Sequence, residues 1–420
     1  MTVGKVDYLF LDLNSYFASV EQQEDLDLLG KPVVVVPMMT EKTCAIAASY
    51  EAKAFGIKTG TMIYEALKLC PNLIIRPARH DVYVNYHHAI MEEIERYIPI
   101  ETIHSIDECA CRLIGDERLP KNALRLGKKI KAGIIRNIGP AIQSSVGLSV
   151  NAYLAKLATE LEKPDGLQVL HPSELPARIE HMELTGLPWI GRGVERRLRA
   201  TGVDDVKTLW TLDAGRMRRI WGSVVGQRFW YMLHGTQVPP IETKKRMVGH
   251  SHVLAPDLRP PHFAHLVARR LIVKAASRMR RMDYWAAEVS LGLRFVAGAS
   301  WGQRIPVPVT QDTFTLVRAI DKLWRIMQTR FGPQHIKHVS VTLSQLTGTQ
   351  ETVGDLFECL PTSAEQSHAR RISLSRALDG LNRRYGRDTV TLGIQPPIKA
   401  QYIGAKIAFT RIPDREEFHE

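Results

Sequence analysis

Val6-Asp-Tyr-Leu-Phe-Leu-Asp-Leu-Asn-Ser-Tyr-Phe-Ala-Ser-Val-Glu21 decides the reading of the chain. Its apolar run, 6–11, has the length and content of a buried strand, and Asp12 stands at its exit. A helix is predicted over 16–23. Farther on, 100–104 and 109–114 read as two strands joined by a tight turn at 105–108, and that turn carries Asp107 and Glu108. An amphipathic helix, 81–97, precedes the pair, with Ile90, Ile94 and Tyr97 at helical spacing. A basic helix over 119–138 and a strand over 142–148 follow. Between the first strand and the amphipathic helix lies an αβ insertion, roughly 22–76, with strands at 31–37 and 43–48 and helices at 50–55 and 62–70. Without it, the order is a split βαβ pattern of the ferredoxin-like kind.

If the three strands share a sheet, Asp12, Asp107 and Glu108 converge at one edge. Clustered carboxylates repel one another unless a cation joins them. Hard oxygen ligands suit Mg²⁺, which keeps several waters and completes its shell with substrate phosphates. Two such ions, about 4 Å apart, can activate an attacking hydroxyl and stabilise a leaving pyrophosphate. Asp107-Glu108 alone would read as an ordinary acidic turn; Asp12 and its surroundings decide against that.

Four segments, in order, resemble the Y-family DNA polymerases, the DinB/UmuC-like translesion group: 12–21, Ser49-Tyr-Glu-Ala-Lys-Ala-Phe-Gly56, Ser105-Ile-Asp-Glu108, and Ser145-Val-Gly-Leu-Ser-Val-Asn151 followed by Ala155-Lys156 and Lys163-Pro-Asp-Gly166. Singly each is weak, and four in order are specific. The resemblance implies an α/β (α+β) fold with a ferredoxin-like palm (1–21 and 77–165) and inserted fingers (22–76). A helix-hairpin-helix thumb (166–240), an α/β little finger (246–345) and a UmuC-like extension (346–420) follow. The implied activity is template-directed addition of deoxynucleotides to a primer end, past damaged template bases. Asp12, Asp107 and Glu108 match the catalytic metal ligands, with the Leu13 carbonyl as a further oxygen and two Mg²⁺ as cofactor. Tyr16, Tyr50, Lys53 and Lys163 match nucleotide-binding positions, and Phe17 matches the ring that excludes a 2′-hydroxyl. Three positions depart from the family pattern. Asn14 stands where many relatives carry a second acid. Lys53 replaces an arginine and so lacks the bidentate fork. Trp189 replaces the first glycine of the thumb hairpin.

The hairpin Ile190-Gly-Arg-Gly193 would offer backbone N–H groups to a DNA phosphate at a helix N-terminus. Arg269, Arg270, Lys274 and Arg278 share one helix, predicted over 263–282, with no acid between them, and are assigned to DNA. Phosphate contacts of this kind are blind to sequence. The excess of 56 Lys and Arg over 44 Asp and Glu, net +12, suits a polyanionic partner. Primer–template DNA and deoxynucleoside triphosphates are the expected partners, and a sliding clamp docking through 350–357 is a further one. The five cysteines form no CxxC pair, so neither a zinc site nor a disulfide framework is expected and a reducing cytoplasm is the default. No apolar run is long enough to span a bilayer, and the chain is read as a monomer. His80, His87, His88 and His104 read as surface or satisfied core histidines, and Trp210, Trp221 and Trp230 as thumb core. Two rivals remain: a catalytically inactive, polymerase-like accessory subunit that binds DNA and a translesion complex, and a nucleotide cyclase. All three acids are present, which counts against the first. The thumb and the second basic domain count against the other.

Overall fold

The computed structural model describes residues 4–241, 244–348, 363–386, 389–393 and 412–413. The chain divides at Pro240 and Ile241 into two compact units. The first begins with β1 (Tyr8–Leu13), whose six residues are all buried, and α1 (Tyr16–Glu24). Then come β2 (Val33–Val36), β3 (Ala47–Ala48), α2 (Tyr50–Ala54), α3 (Ile63–Leu69) and β4 (Ile74–Pro77). Strands β3, β2 and β4 form a small sheet of their own over a core that includes Val34, Val36, Ile57 and Ile63. The predicted strand at 43–48 is thus only two residues long, with Cys44 adding a lone bridge to Met62.

The larger sheet is ordered β5 (Ile100–Ser105), β6 (Glu108–Arg112), β1, β7 (Ser144–Ser149), β8 (Leu167–Val169). Helix α4 (His80–Glu95) lies between β4 and β5, α5 (Pro120–Asn137) between β6 and β7, and α6 (Ala152–Glu160) between β7 and β8. Central position explains the unbroken apolar run of β1: it pairs on both edges, with β6 and β7. Side chains alternate across it, so Tyr8, Phe10 and Asp12 share a face. Tyr8 and Phe10 pack there with Ala152 and Ala155 of α6. Gly147 permits this approach, because a Cβ there would lie 2.0 Å from the carbonyl oxygen of Ala155. The first turn of α6 is capped by Asn151, which accepts from the Leu154 N–H at 2.8 Å.

Four short helices complete the first unit: α7 (Arg192–Arg199), α8 (Val206–Trp210), α9 (Ala214–Trp221) and α10 (Val224–Leu233). Asp205 and Asp213 cap α8 and α9. Their core contains Leu198, Leu209, Met217 and Phe229. Trp221 is buried within it, and Trp210 and Trp230 pack against it, as read from the sequence.

The second unit is a four-stranded antiparallel sheet covered by helices. It contains β9 (Met247–Val253), α11 (Pro261–Arg281), β10 (Tyr284–Phe295), β11 (Ser300–Thr310), α12 (Thr313–Phe331), β12 (Ile336–Gly348) and α13 (Ser363–Tyr385), with strand order β11-β10-β12-β9. Val289, Leu291 and Leu293 of β10 pack with Ala268, Ile272, Ile320 and Trp324 of α11 and α12. Pro306 and Pro308 are tolerated in β11 because it is an edge strand.

Candidate active site

Register builds the acidic cluster. Asp12 and Glu108 are direct antiparallel partners, and the Leu13 N–H donates to the Asp107 carbonyl at 2.8 Å. The Ser105 hydroxyl donates to Asp107 Oδ1 at 2.5 Å and fixes the turn. Beneath the turn, buried His87 meets the Ile106 carbonyl through Nδ1 at 2.7 Å. A carbonyl only accepts, so Nδ1 carries the proton. Burial holds this imidazole down at about 4, and it is neutral. His87 is therefore a satisfied core histidine, in keeping with its sequence reading.

Two lysines enter the cluster. Lys156 Nζ, on the α6 face that packs on β1, contacts Asp12 Oδ2 and lies 2.7 Å from Glu108 Oε1 and 3.0 Å from Glu160 Oε1. Lys163 Nζ lies 3.0 Å from Asp12 Oδ2 and 2.8 Å from Glu160 Oε1. Burial opposes ionisation of Asp12, yet Lys156 and Lys163 hold its carboxyl below the usual range. Asp107 and Glu108 are pushed up, chiefly by burial, with Asp12 adding to the rise. Burial also works against the charge on Lys156, but Asp12, Glu108 and Glu160 outweigh it and raise its pKa. Sequence reasoning assigns no role to Lys156 or Glu160; the available signal is the Ala155-Lys156 pair within the fourth motif.

Asn14 has a structural task. It is 2% exposed, donates to Ser145 Oγ at 3.0 Å and accepts from the Asp165 N–H at 2.8 Å. It thereby ties the loop carrying Lys163 to β1. Across from this loop, Ser49 caps α2 through the Ala52 N–H, and Lys53 Nζ lies 4.1 Å from the Tyr50 ring centroid. Burial, with Asp12 and Glu160 nearby, raises the Tyr50 phenol to about 12. Burial and the charge of Lys163 lower Lys53. Tyr50, Lys53 and Lys163 thus share one electrostatic neighbourhood with Asp12. Phe17 is half-buried and stacks on Tyr83 at 4.4 Å with an interplanar angle of 14°. Tyr16 is buried, and its hydroxyl donates to the Tyr83 carbonyl at 2.7 Å, so that hydroxyl is engaged within the protein.

Hard oxygen donors crowded at one strand edge, two of them with raised carboxyl pKa, are the chemistry a divalent cation needs, so the residues fit Mg²⁺. Among the described residues, however, no three carboxylates form a ready-made cage. The Lys156 ammonium bridges Asp12 and Glu108 instead.

In the thumb helices, Gly191 is the N-cap of α7, and the space a Cβ would take at Gly191 or Gly193 is open. An open concavity of about 500 Å³ is lined by Gly191, Gly193, Val194, Arg196 and Arg197. Buried Ile190 anchors the turn, and Arg192 begins the helix. Trp189 has φ of 71°, a left-handed backbone that favours the glycine expected there. Arg199 is paired with Glu195 and Asp204, and Arg197 donates to the Trp221 carbonyl at 2.6 Å.

The basic helix of the second unit, read from the sequence as a run of cations with no acid between them, is partly engaged within that unit. Arg270 is 8% exposed, Arg269 lies 3.7 Å from Asp321, and Lys274 and Arg278 are half-buried. Arg280 donates to both carboxylate oxygens of Asp379, on α13. The pairing of Arg280 with a second helix is a contact that spacing along α11 alone could not reveal. The sheet face away from α11 and α12 carries Ser290, Gly292 and Arg294 on β10, with Arg304 and Gly302 opposite the first two on β11. Arg304 is well exposed.

Residues 11–160 match the impB/mucB/samB family, and residues 245–356 match the C-terminal domain of that family. A DNA polymerase IV from Moorella thermoacetica is 30% identical over 398 residues, covering 93% of this chain and 96% of the relative. DNA polymerase IV 1 from Bacillus subtilis is 27% identical over 402 residues, 93% of each chain. In fold, the chain is similar to a Y-family DNA polymerase chimera, with a TM-score of 0.69 at 20% identity, over 82% of this chain and 100% of that one. The chain belongs to the impB/mucB/samB family, the Y-family DNA polymerases.

Proposed function

We propose that the chain is a template-directed DNA polymerase that extends a primer with deoxynucleotides past damaged template bases. The observation that carries the reading is the pairing of Asp12 with Glu108 across β1 and β6, beside Asp107 and facing Tyr50, Lys53 and Lys163. Asp12, Asp107, Glu108 and the Leu13 carbonyl would hold two Mg²⁺, which would activate the primer 3′-hydroxyl and neutralise the departing pyrophosphate. Lys163 and Lys53 supply cations, and Tyr50 a hydroxyl, to the triphosphate. Tyr16 contributes its place at the start of α1, beside Phe17. The Phe17 ring, backed by Tyr83, closes the space a 2′-hydroxyl would need.

The domain assignment follows the same reading: palm 1–21 and 77–165, fingers 22–76, thumb 166–240, little finger 246–345, extension 346–420. The α7 amides at Arg192 and Gly193 precede the helical ladder and suit a DNA phosphate. In the little finger, the grip belongs to the open sheet face with Arg294 and Arg304 and its small residues, which let a phosphate backbone approach. Arg269, Lys274 and Arg278 stand on the helical side and are secondary to it, and Arg270 is a packing residue. The clamp segment, 350–357, lies outside the described residues. The inactive accessory subunit is disfavoured, because every acid the chemistry needs is present.

Primer extension on undamaged and abasic templates tests the reading. Template-directed incorporation of single deoxynucleotides is expected on both. DNA binding without any incorporation would select the accessory-subunit alternative. Affinity should fall steeply with salt, and Arg304→Ala should reduce the slope of log K against log salt by about 1.

A further inference from the structure

Lys156, its side chain 16% exposed, places its ammonium among three carboxylate partners, and two of them, Asp12 and Glu108, are also the residues assigned to the metal ions. We infer that Lys156 is a built-in place-holder cation: it holds the strand-edge acids together when no ion is bound, and an arriving ion displaces it onto Glu160. The inference rests on the reading of Asp12 and Glu108 as metal ligands and adds a positioning residue to it.

Four observations carry it. First, Asp12 and Glu108 are cross-strand partners, a position where like charges directly opposite destabilise a sheet. Their charge is compensated here by an ammonium rather than by distance. Second, the ammonium is delivered by rigid structure. Gly147 lets α6 press onto β7, and Asn151 fixes the first turn of that helix. Third, Glu160 lies one helical turn beyond Lys156 at 3.0 Å, on the same helix and outside the β1–β6 pair. It gives the ammonium an anchor that survives the loss of Asp12 and Glu108. Fourth, Glu160 also holds Lys163, the second cation on Asp12. One acid thus stands ready to receive both lysines when Asp12 turns to a metal. A lysine suits this exchange, since its compact charge sits on a flexible stem and demands no bidentate geometry.

The test is Mn²⁺ binding to the full chain, without DNA or nucleotide, followed by the loss of the free-ion electron paramagnetic resonance signal, alongside melting temperature in EDTA and in Mg²⁺. Lys156→Met removes the competitor and should bind Mn²⁺ at least about tenfold more tightly, since an opposing charge within contact distance is gone. It should melt lower than wild type in EDTA and gain more from Mg²⁺. Lys156→Arg keeps the charge and should bring both readouts back towards wild type. Glu160→Gln removes the receiving anion and should weaken Mn²⁺ binding severalfold. This partly exposed position keeps the test open if Lys156→Met does not fold. Unchanged Mn²⁺ affinity in Glu160→Gln, or in a folded Lys156→Met, would overturn the place-holder role. Asp12→Asn separates this from failure of the underlying reading: if it binds Mn²⁺ as wild type does, the metal-ligand assignment itself falls.

Discussion

Replacing Asn14 with alanine should damage stability and nucleotide binding together. The side chain is 2% exposed and makes two bonds that matter: to Ser145 Oγ at 3.0 Å and from the Asp165 N–H at 2.8 Å. Ser145 keeps other partners, the Glu162 carbonyl and the Gly166 N–H, both at 3.3 Å. Asp165 is exposed, so its N–H turns to water and the loss is that of an ordinary hydrogen bond, about 0.5–1.5 kcal/mol. The lost amide volume adds about 1 kcal/mol. The sum, about 1.5–2.5 kcal/mol, corresponds to a fall in Tm of about 3–10 °C for a unit of this size. The loop that loosens carries Lys163, so the KM for deoxynucleotide should rise, by about tenfold if half of a charge-assisted bond to phosphate is lost. Calorimetry and steady-state single-nucleotide insertion check the two effects. Unchanged Tm and KM would refute the tether; a lower Tm with unchanged KM would confine Asn14 to stability and cut its link to Lys163.

Phe17→Ala should raise the ratio of ribonucleotide to deoxynucleotide kcat/KM by orders of magnitude, because it removes a steric overlap rather than a contact. A variant about 3–5 kcal/mol less stable with wild-type sugar selection would mark Phe17 as core only. His87 should impose a pH slope on stability. Its folded value, about 4, lies below its usual 6.5, so the unfolded chain binds more protons between these values. Stability contributed above pH 6.5 is then lost as pH falls towards 4, in all about 3 kcal/mol, and urea melts of His87→Asn should lack that component. Asp379→Ala leaves Arg280 buried without its carboxylate, retaining among the described residues the Gln311 carbonyl and the Thr313 hydroxyl. The second unit should lose about 3 kcal/mol, read by denaturant melts; no loss would mean that α13 does not clamp α11.

Much of the palm was legible because its signals are local. An apolar run that stops at an acid, a strand pair hinged on two acids, and helical spacing at Ile90 and Ile94 all survive into the structure as β1, β5–β6 and α4. What could not be read depends on contacts between distant segments. The cations of α11 run along one helix with no acid between them, and the sequence does not show that Arg280 among them pairs with Asp379 of α13. Pro306 and Pro308 argue against a strand unless its edge position is known, and β11 is not among the elements predicted from the sequence. Asn14 looks like a lost acid, and only its bonds to Ser145 and Asp165 reveal a tether. Lys156 stands in a recognisable motif, but its partners lie 48 and 144 residues away along the chain (156 − 108 and 156 − 12), at positions no spacing rule connects.

The measurement that bears most directly on the central claim compares wild type with Asp107→Ala in two assays on the same primer–template: extension in Mg²⁺ and equilibrium DNA binding. The acids serve the chemistry and the basic surfaces serve the grip, so extension should vanish while Kd for the DNA is unchanged. Wild-type extension by Asp107→Ala in Mg²⁺ would contradict the assignment of Asp12, Asp107 and Glu108 as the catalytic centre.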